Sequence, residues 1–452
     1  MRRRGFTRGA CSLFGFLWLA LSGVIAVAQA PDSAAAGPYP IDLATTLRLA
    51  GAQNLDVQLA RNAVEEARAN YTSAIEKFVP ALVPSASYLH HSGRTQAVDG
   101  TVVDVTKHSD TTGIGVTAQI PVGDAIFSTL QSRQLLTAAD AASTARERDS
   151  ALLAAQQYFD LVRARALADV VNQGLGVSQN YLEQLGEAVR IGIAFKGDAL
   201  RVETQTQRLQ LDLARAKQQQ RLAAAKLAQT LHLDPQVDLA PADAEPVPLA
   251  LADLTATLPA LLQSALDNRP ELAQSGALVA AAEQSRRGAV YGPLLPTVGA
   301  QAFGGNFNGG PGDVDANGGP THDRAVGLSW KIGPGGLFDW GRIRASNSKL
   351  VNAQITDEKL RDEISRQVVE SYTRVQSLFE QVRLARLNMN SAAETLRLTR
   401  ERKELGVGTV LEDIQAQQEL VRARSEYVGS VTELNQEQYG LLRSIGSTLR
   451  QP

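Results

Sequence analysis

The feature that most constrains the fold is a similarity between the two halves of the chain. The segment AVRIGIAFKGDALRVETQ, which starts at Ala188, aligns with RKELGVGTVLEDIQAQQ, which starts at Arg402. Gly406 then lies 214 positions after Gly192, and further ordered matches occur with nearly the same spacing. Because so many ordered matches are improbable by chance, we interpret the chain as an internal two-fold repeat.

The repeat divides the chain into segments. They are a signal peptide (1–28), an N-terminal tail (29–40), repeat 1 (41–232), an equatorial linker rich in Pro, Ala and Asp (233–254), repeat 2 (255–446) and a C-terminal tail (447–452). Each repeat is predicted as helix, β-hairpin, long helix, turn and helix, with hairpins at 83–122 and 296–333 and turns at 192 and 406. The fold class is therefore mixed α and β.

The N-terminus is typical of a secretory signal. A basic region at Arg2–Arg4 precedes a mostly apolar run, Cys11–Val27, and small residues follow it, which favours cleavage after Ala28. Cys11 is the one cysteine of the chain. The mature protein is therefore expected to leave the cytoplasm and to use neither disulfides nor thiol chemistry.

Two stretches without proline predict helices of unusual length. Proline is absent from Ala125 to Ile191 and from Phe338 to Leu405, and at ~1.5 Å per residue each helix would be about 100 Å long. Gly174 is a possible break, but the glycine at 192 recurs in both repeats, so we place the reversal there. Aromatic residues make up only 5% of the chain, which also favours helices packed side by side.

The last helix carries an apolar position every seven residues, as a side-by-side coiled coil requires. The positions in register are Val407, Ile414, Val421, Val428 and Leu442. Asn435 interrupts this seam.

Alternating side chains predict two strands in each repeat, with a loop from Ser92 to Asp110 inside the first hairpin. The apolar face would meet lipid, and the polar residues would face water: Thr117, Gln119, Ser329 and Lys331. Four strands cannot close a barrel, and open edges in lipid leave backbone groups unpaired. Two chains would give eight strands and a filled interior, whereas three would give twelve and a lumen. We favour a trimer in outer-membrane lipid.

Other classes of function find little support in the sequence. The five histidines lack the spacing of zinc ligands on a helix, and the loop GGPGDVDANGG lacks the acid spacing of a calcium loop. No catalytic arrangement or phosphate-binding loop stands in its required context. With 45 Lys+Arg against 47 Asp+Glu, nothing calls for nucleic acid. We therefore expect no catalytic residue, no metal and no cofactor.

Taken together, the two-fold repeat, the NRPEL segment at Asn268–Leu272 and the turns at Gly192 and Gly406 with an acid six residues later resemble the TolC-like outer membrane factors, the outer membrane efflux protein family. The resemblance implies a trimeric twelve-stranded transmembrane β-barrel continued by a long antiparallel α-helical periplasmic barrel. It also implies that the turns, with Ile193 and Val407, dock a periplasmic adaptor that joins an inner-membrane pump.

The predicted function is the outer-membrane exit channel of a tripartite efflux system that conducts small molecules passively, with a periplasmic extension. Two alternatives stay open: the exit channel of a type I protein secretion system, and a soluble periplasmic coiled-coil adaptor. Three acids near the turns, Asp198, Glu412 and Asp413, are candidate gate residues, because threefold symmetry would gather each into a ring of like charge. They could instead stabilise a helix N-terminus.

Overall fold

The structure is a computed structural model that describes residues 39–243, 245–251, 256–312, 317–405 and 407–447. The predicted signal peptide and most of both predicted tails lie outside these residues. The elements in chain order are β1 (Tyr39–Ile41), α1 (Leu43–Gln53), α2 (Leu55–Glu76), β2 (Ala81–Gln96), β3 (Val102–Pro121), α3 (Val122–Arg190), α4 (Lys196–Thr230), β4 (Leu239–Pro241), α5 (Leu258–Asn268), α6 (Pro270–Tyr291), β5 (Thr297–Pro311), β6 (Asn317–Ser329), α7 (Trp340–Glu404) and α8 (Val410–Ser444).

The two halves present their helices and hairpins in the same order. The first and second helices of each half have equal lengths, 11 residues for α1 and α5 and 22 for α2 and α6. The last helices, α4 and α8, have 35 residues each, and the long helices α3 and α7 have 69 and 65. At ~1.5 Å per residue, α3 and α7 each span about 100 Å, and α3 continues through Gly174 without a break.

The first helix of each half is divided in two, whereas the sequence predicts a single helix before each hairpin. In the first half Asn54 is extended, and its side-chain oxygen accepts the N–H groups of Asp56 and Val57, which starts α2 as a new helix. In the second half Arg269 is extended, as the residue before a proline prefers, and Pro270 starts α6. The break thus falls at Asn54-Leu55-Asp56 in the first half and at the NRPEL segment in the second half.

The four long strands form one antiparallel sheet in the order β2-β3-β5-β6. They extend beyond the predicted strands: β2 runs to Gln96 and β3 starts at Val102, so most of the predicted loop from Ser92 to Asp110 is paired backbone. The connecting turn is held by Asp99, which accepts hydrogen bonds from the backbone and side chain of Thr101. The second hairpin spans 297–329 rather than 296–333.

The long helices have different surroundings. The helix α3 contacts α1, α2, α4, α6 and α8, whereas α7 contacts α5, α6 and α8. Among the described residues, no helix combines the length and the apolar composition that crossing a membrane requires.

A core of buried side chains lies where the linker meets the middle of the helices. The strands β1 and β4 pair in parallel, and Tyr158, Leu161 and Leu227 are fully buried beside them. The hydroxyl of Tyr158 donates to the Asp243 carboxylate at 2.7 Å. Burial, together with this hydrogen bond, raises the pKa of Tyr158. The core joins the linker to both halves of the chain.

Two buried amides of α8 hold the end of the linker. Asn435 donates to Val247 O and accepts Leu249 N, both at 2.9 Å. Gln438 accepts Leu251 N and donates to Leu249 O, both at 2.8 Å. We call Asn435 and Gln438 the linker clamp. They bond the backbone of 247–251 as a neighbouring strand would, which gives a physical reason for the interruption of the seam at Asn435.

Candidate functional site

At the end of the sheet that adjoins the helices, one face is polar and the other is apolar. Thr117 pairs with Gln301 and Gln119 with Gly299, while Thr297 pairs with Ser329. Because side chains directly opposite each other share a face, the predicted lumen residues Thr117, Gln119 and Ser329 lie together. Lys331 lies beyond β6, where Leu337 N donates to Lys331 O in a turn, so it is not a strand residue as the sequence predicts.

The opposite face carries large apolar side chains that are exposed in the single chain. They are Leu82, Ile114, Val116, Val326 and Leu328. Val326 is 83% exposed. Several large exposed apolar side chains on one face indicate a surface that contacts a partner or lipid.

The first interhelical turn is apolar and lacks a side-chain cap. Gly192 adopts a φ of 82°, which favours glycine, and reverses the chain after α3. Ile193 is 76% exposed and Phe195, the N-cap of α4, is 74% exposed. The Phe195 ring lies against Gly197, where any Cβ would collide with it. The tip of this turn thus presents hydrophobic side chains to solvent.

The second turn is apolar but capped. Gly406 lies outside the described residues. Val407 is 69% exposed, and Thr409 and Glu412 form a capping box in which each side chain bonds the other's backbone N–H. The Glu412 carboxylate therefore accepts a backbone N–H at the N-terminus of α8, as expected if this residue caps the helix.

The other two candidate acids have different surroundings. Asp198 forms an ion pair with Arg201 at 3.6 Å in the first turn of α4. Asp413 is only 2% exposed, accepts a hydrogen bond from Gln417 at 3.2 Å, and lies 3.8 Å from the Nε of Arg400. The three acids therefore do not share one surface of the chain.

A tyrosine of α3 completes the surroundings of Asp413. Tyr181 is buried, and Lys403 Nζ lies 3.4 Å from the centre of its ring. Burial, followed by the carboxylates of Asp413 and Asp198, raises the pKa of Tyr181 to about 12. The helices α3, α7 and α8 are thus joined by charged and aromatic contacts just behind the turns.

A buried ion network was missed by sequence reasoning. Arg443 of α8, 4% exposed, donates to Asp149 and to Glu271. Glu271 also accepts from Arg269, which donates to Gln367 at 2.6 Å. Burial raises the pKa of Glu271, but the hydrogen bonds from the two arginines outweigh it and lower the pKa to about 2. The sequence feature that could have indicated this network is the segment Arg269-Pro270-Glu271, which supplies two of its charges.

Comparisons with known proteins agree with this geometry. The family model of the outer membrane efflux proteins matches residues 261–447, and no curated protein sequence matches the chain. The solved outer-membrane channel OprN shares the fold with a TM-score of 0.75 at 18% identity, over 90% of each chain. The CmeC outer membrane channel of Campylobacter jejuni gives 0.75 at 15% identity, over 89% of this chain and 85% of that one.

The outer membrane protein VceC of Vibrio cholerae gives a TM-score of 0.74 at 17% identity, over 90% of this chain and 96% of its own. At these identities the structures establish the fold, while the family model covers most of the second half of the chain. Together they confirm the resemblance stated from the sequence: residues 261–447 match the family model of the outer membrane efflux proteins, and about nine tenths of the chain share the fold of solved outer-membrane channels.

Proposed function

We propose that the protein is the outer-membrane exit channel of a tripartite efflux system. Small molecules expelled by an inner-membrane pump would reach it through a periplasmic adaptor and cross it passively. The observation that carries the proposal is the sheet: β2 and β6 each lack a strand partner on one side among the described residues, and the apolar face is exposed.

The open edges point to assembly. In a bilayer each unpaired backbone group costs several kcal/mol, and pairing β2 of one chain with β6 of the next removes both edges. Three copies supply twelve strands, enough to enclose a water-filled lumen. We therefore propose a trimer with a shared twelve-stranded barrel, with the apolar face towards lipid and Thr117, Gln119 and Ser329 towards the lumen.

The helices support the same assembly. The helix α7 has one exposed side with apolar positions, and so do α2 and α4: Val351, Ile355, Leu384, Leu387 and Leu398 on α7, and Leu55, Leu59, Leu211 and Leu222 on the other two. We propose that α7 of one chain packs against α2 and α4 of the next. Stacked end to end, α1, α2 and α4, with 11, 22 and 35 residues, nearly match the 69 residues of α3. The three chains would then form a helical periplasmic barrel continuous with the strands.

The two turns are the proposed adaptor contacts. Gly192 allows the chain to reverse after α3, and Ile193 and Val407 offer exposed apolar side chains at the tips. We extend the proposal to Gly406, which lies outside the described residues. Aspartate at either apolar position should weaken binding of the adaptor without changing the trimer. We also propose that the chain is built from a two-fold repeat joined by the equatorial linker, and that the signal peptide directs its export.

A gate near the turns remains a proposal for Asp198 and Glu412, which are near the tips. Asp413 is buried within the chain, so its carboxylate does not belong to a lumen ring. Single-channel current of Glu412→Ala in planar bilayers separates the two interpretations, because a gate changes conductance or divalent-cation block. Unchanged conductance and block in an intact trimer leave only the helix cap.

The barrel is tested by two neighbouring residues on opposite faces of β6. Val326→Lys places a charge on the face proposed to contact lipid, which costs about 2–4 kcal/mol near the bilayer midplane. Ala325→Lys places the same charge on the lumen face and serves as the matched control. We expect the first variant to lose assembled trimer in the outer membrane and the second to keep it. Equal yields, or a monomer by mass in detergent, would contradict the shared barrel.

Orientation is tested at the hairpin tips. Epitope tags inserted at Asp99 or Gly312 should bind antibody on intact cells, since both lie in the turns that join the strands. Labelling that requires lysis would reverse the proposed direction of the channel.

Transport is tested by co-producing the channel with a candidate periplasmic adaptor and inner-membrane pump. Loss of the channel should raise the intracellular level of small molecules while leaving secreted polypeptides unchanged. Accumulation of a polypeptide instead would assign the channel to protein secretion.

A further inference from the structure

The ring of Phe303 lies against three glycines on the polar face of the sheet. A Cβ on Gly113 would lie 2.5 Å from Phe303 Cζ, and one on Gly305 would lie 3.0 Å from the same atom. Gly115 is in ordinary contact range, 3.6 Å from Phe303 Cδ2. Because no side chain rises from these three positions, the Phe303 ring lies against the backbone of these glycines, and Phe303 is partly exposed.

A carboxylate stands beside this ring. Asp323 of β6 is directly opposite Phe303 of β5, so their Cβ atoms are about 4.5–5.5 Å apart on one face. Asp323 is exposed and forms no ion pair within the described part of the chain. Phe307, 48% exposed, lies two side chains further along the same face of β5.

The charges along this face are unevenly placed. Within the described strands, the cation on the polar face is Lys107, which pairs with Pro311 at the far end of the hairpins. Arg324 and His322 alternate with Asp323 and so lie on the opposite face. At the level of the Phe303 ring the polar face is therefore aromatic and negative.

We propose that Phe303 and Asp323 form a contact site for organic cations on the channel wall, with Phe307 extending its aromatic surface. The inference rests on the proposed channel, whose threefold symmetry repeats the site around the lumen. The face of an aromatic ring attracts a cation through its quadrupole, and the carboxylate adds Coulomb attraction. An anion of the same size and shape meets repulsion from Asp323.

The test uses two probe ions of matched shape and opposite charge, tetraphenylphosphonium and tetraphenylborate, added to single trimers in planar bilayers. We expect the cation to interrupt the current at a lower concentration than the anion. Asp323→Asn and Phe303→Leu should each raise the half-blocking concentration of the cation by about two- to fivefold. Asp104→Asn, which removes a carboxylate from the opposite face of β3, is the matched control and should leave block unchanged.

The outcomes are separable from those of the proposed function. Equal block by the two ions, or block that is unchanged in Asp323→Asn, overturns the site even though the channel conducts. Asn has nearly the shape of Asp, so this variant does not depend on whether Phe303→Leu assembles. Failure of the wild-type chain to form a conducting trimer refutes the channel itself and the site with it.

Discussion

Replacing Asn435 by leucine distinguishes two interpretations of α8. In the coiled-coil interpretation Asn435 is a polar defect in an apolar seam, and leucine should stabilise the helix pair. In the structure the same side chain is half of the linker clamp and bonds both Val247 O and Leu249 N. Leucine cannot form either bond, so we expect the linker to be released.

The magnitude follows from the two backbone groups. Leaving a buried donor or acceptor without its partner costs about 1–3 kcal/mol, and Asn435 serves one of each. Water that reaches the released linker restores part of this loss. We therefore expect the free energy of local opening at Leu249 to fall by about 2 kcal/mol or more, which corresponds to roughly 30-fold faster amide exchange.

Hydrogen exchange with mass spectrometry on the peptide containing residues 245–251 measures this directly. Proline occupies 246 and 248, so few amides contribute and the Leu249 and Leu251 signals are readily assigned. Asn70→Leu, an equivalent change at an exposed position of α2, is the matched control and should leave this peptide unaffected. Slower or unchanged exchange in Asn435→Leu would refute the clamp and restore the seam interpretation.

Three further outcomes follow from the described contacts. Arg443→Met removes a buried cation that bonds the half-exposed Asp149 and the partly buried Glu271, which keeps Arg269 as a partner. It should destabilise the protein by about 1–3 kcal/mol, measured by thermal unfolding. Because the pKa of Glu271 is lowered to about 2 from 4.5, its stabilisation is complete above about pH 4.5 and is lost as the pH falls towards 2; the thermal midpoint should fall over that range, and less so in Glu271→Gln. Gly113→Val should abolish assembled trimer on heated and unheated gels, because a Cβ at this position would lie 2.6 Å from the backbone oxygen of Gly304 and would also collide with the Phe303 ring. Gly327→Val has open space and should assemble.

The helical part of the fold was largely accessible from the sequence. Long stretches without proline determine α3 and α7, and the turn after α3 needs a glycine because its φ is positive. The break at Asn54 was missed because the amino acids on both sides favour helix, and only the capping geometry shows that two helices meet there. Strand ends were misplaced for a related reason: Gly, Thr and Asp are common in loops, but β-ladders bond through the backbone, which composition does not report.

The candidate functional site was harder to predict from the sequence than the helices were. Glu412 and Asp413 are adjacent, and neighbouring side chains on a helix point about 100° apart, so one caps the helix while the other is buried against α3. Which of them is buried depends on Tyr181, more than two hundred residues earlier in the chain. The alternation that placed Lys331 in a strand continues past Ser329 into a turn, where Gly333 and Gly335 have positive φ.

The open edges of the sheet have a consequence for inheritance. Under the proposed threefold assembly, each chain supplies one third of every wall, and a chain with a blocked β6 edge spoils any trimer that it enters. In a cell that makes normal and blocked chains in equal amounts, random mixing leaves about one trimer in eight wholly normal. Mutations at this edge should therefore behave as dominant alleles, whereas losses of export or of expression should be recessive.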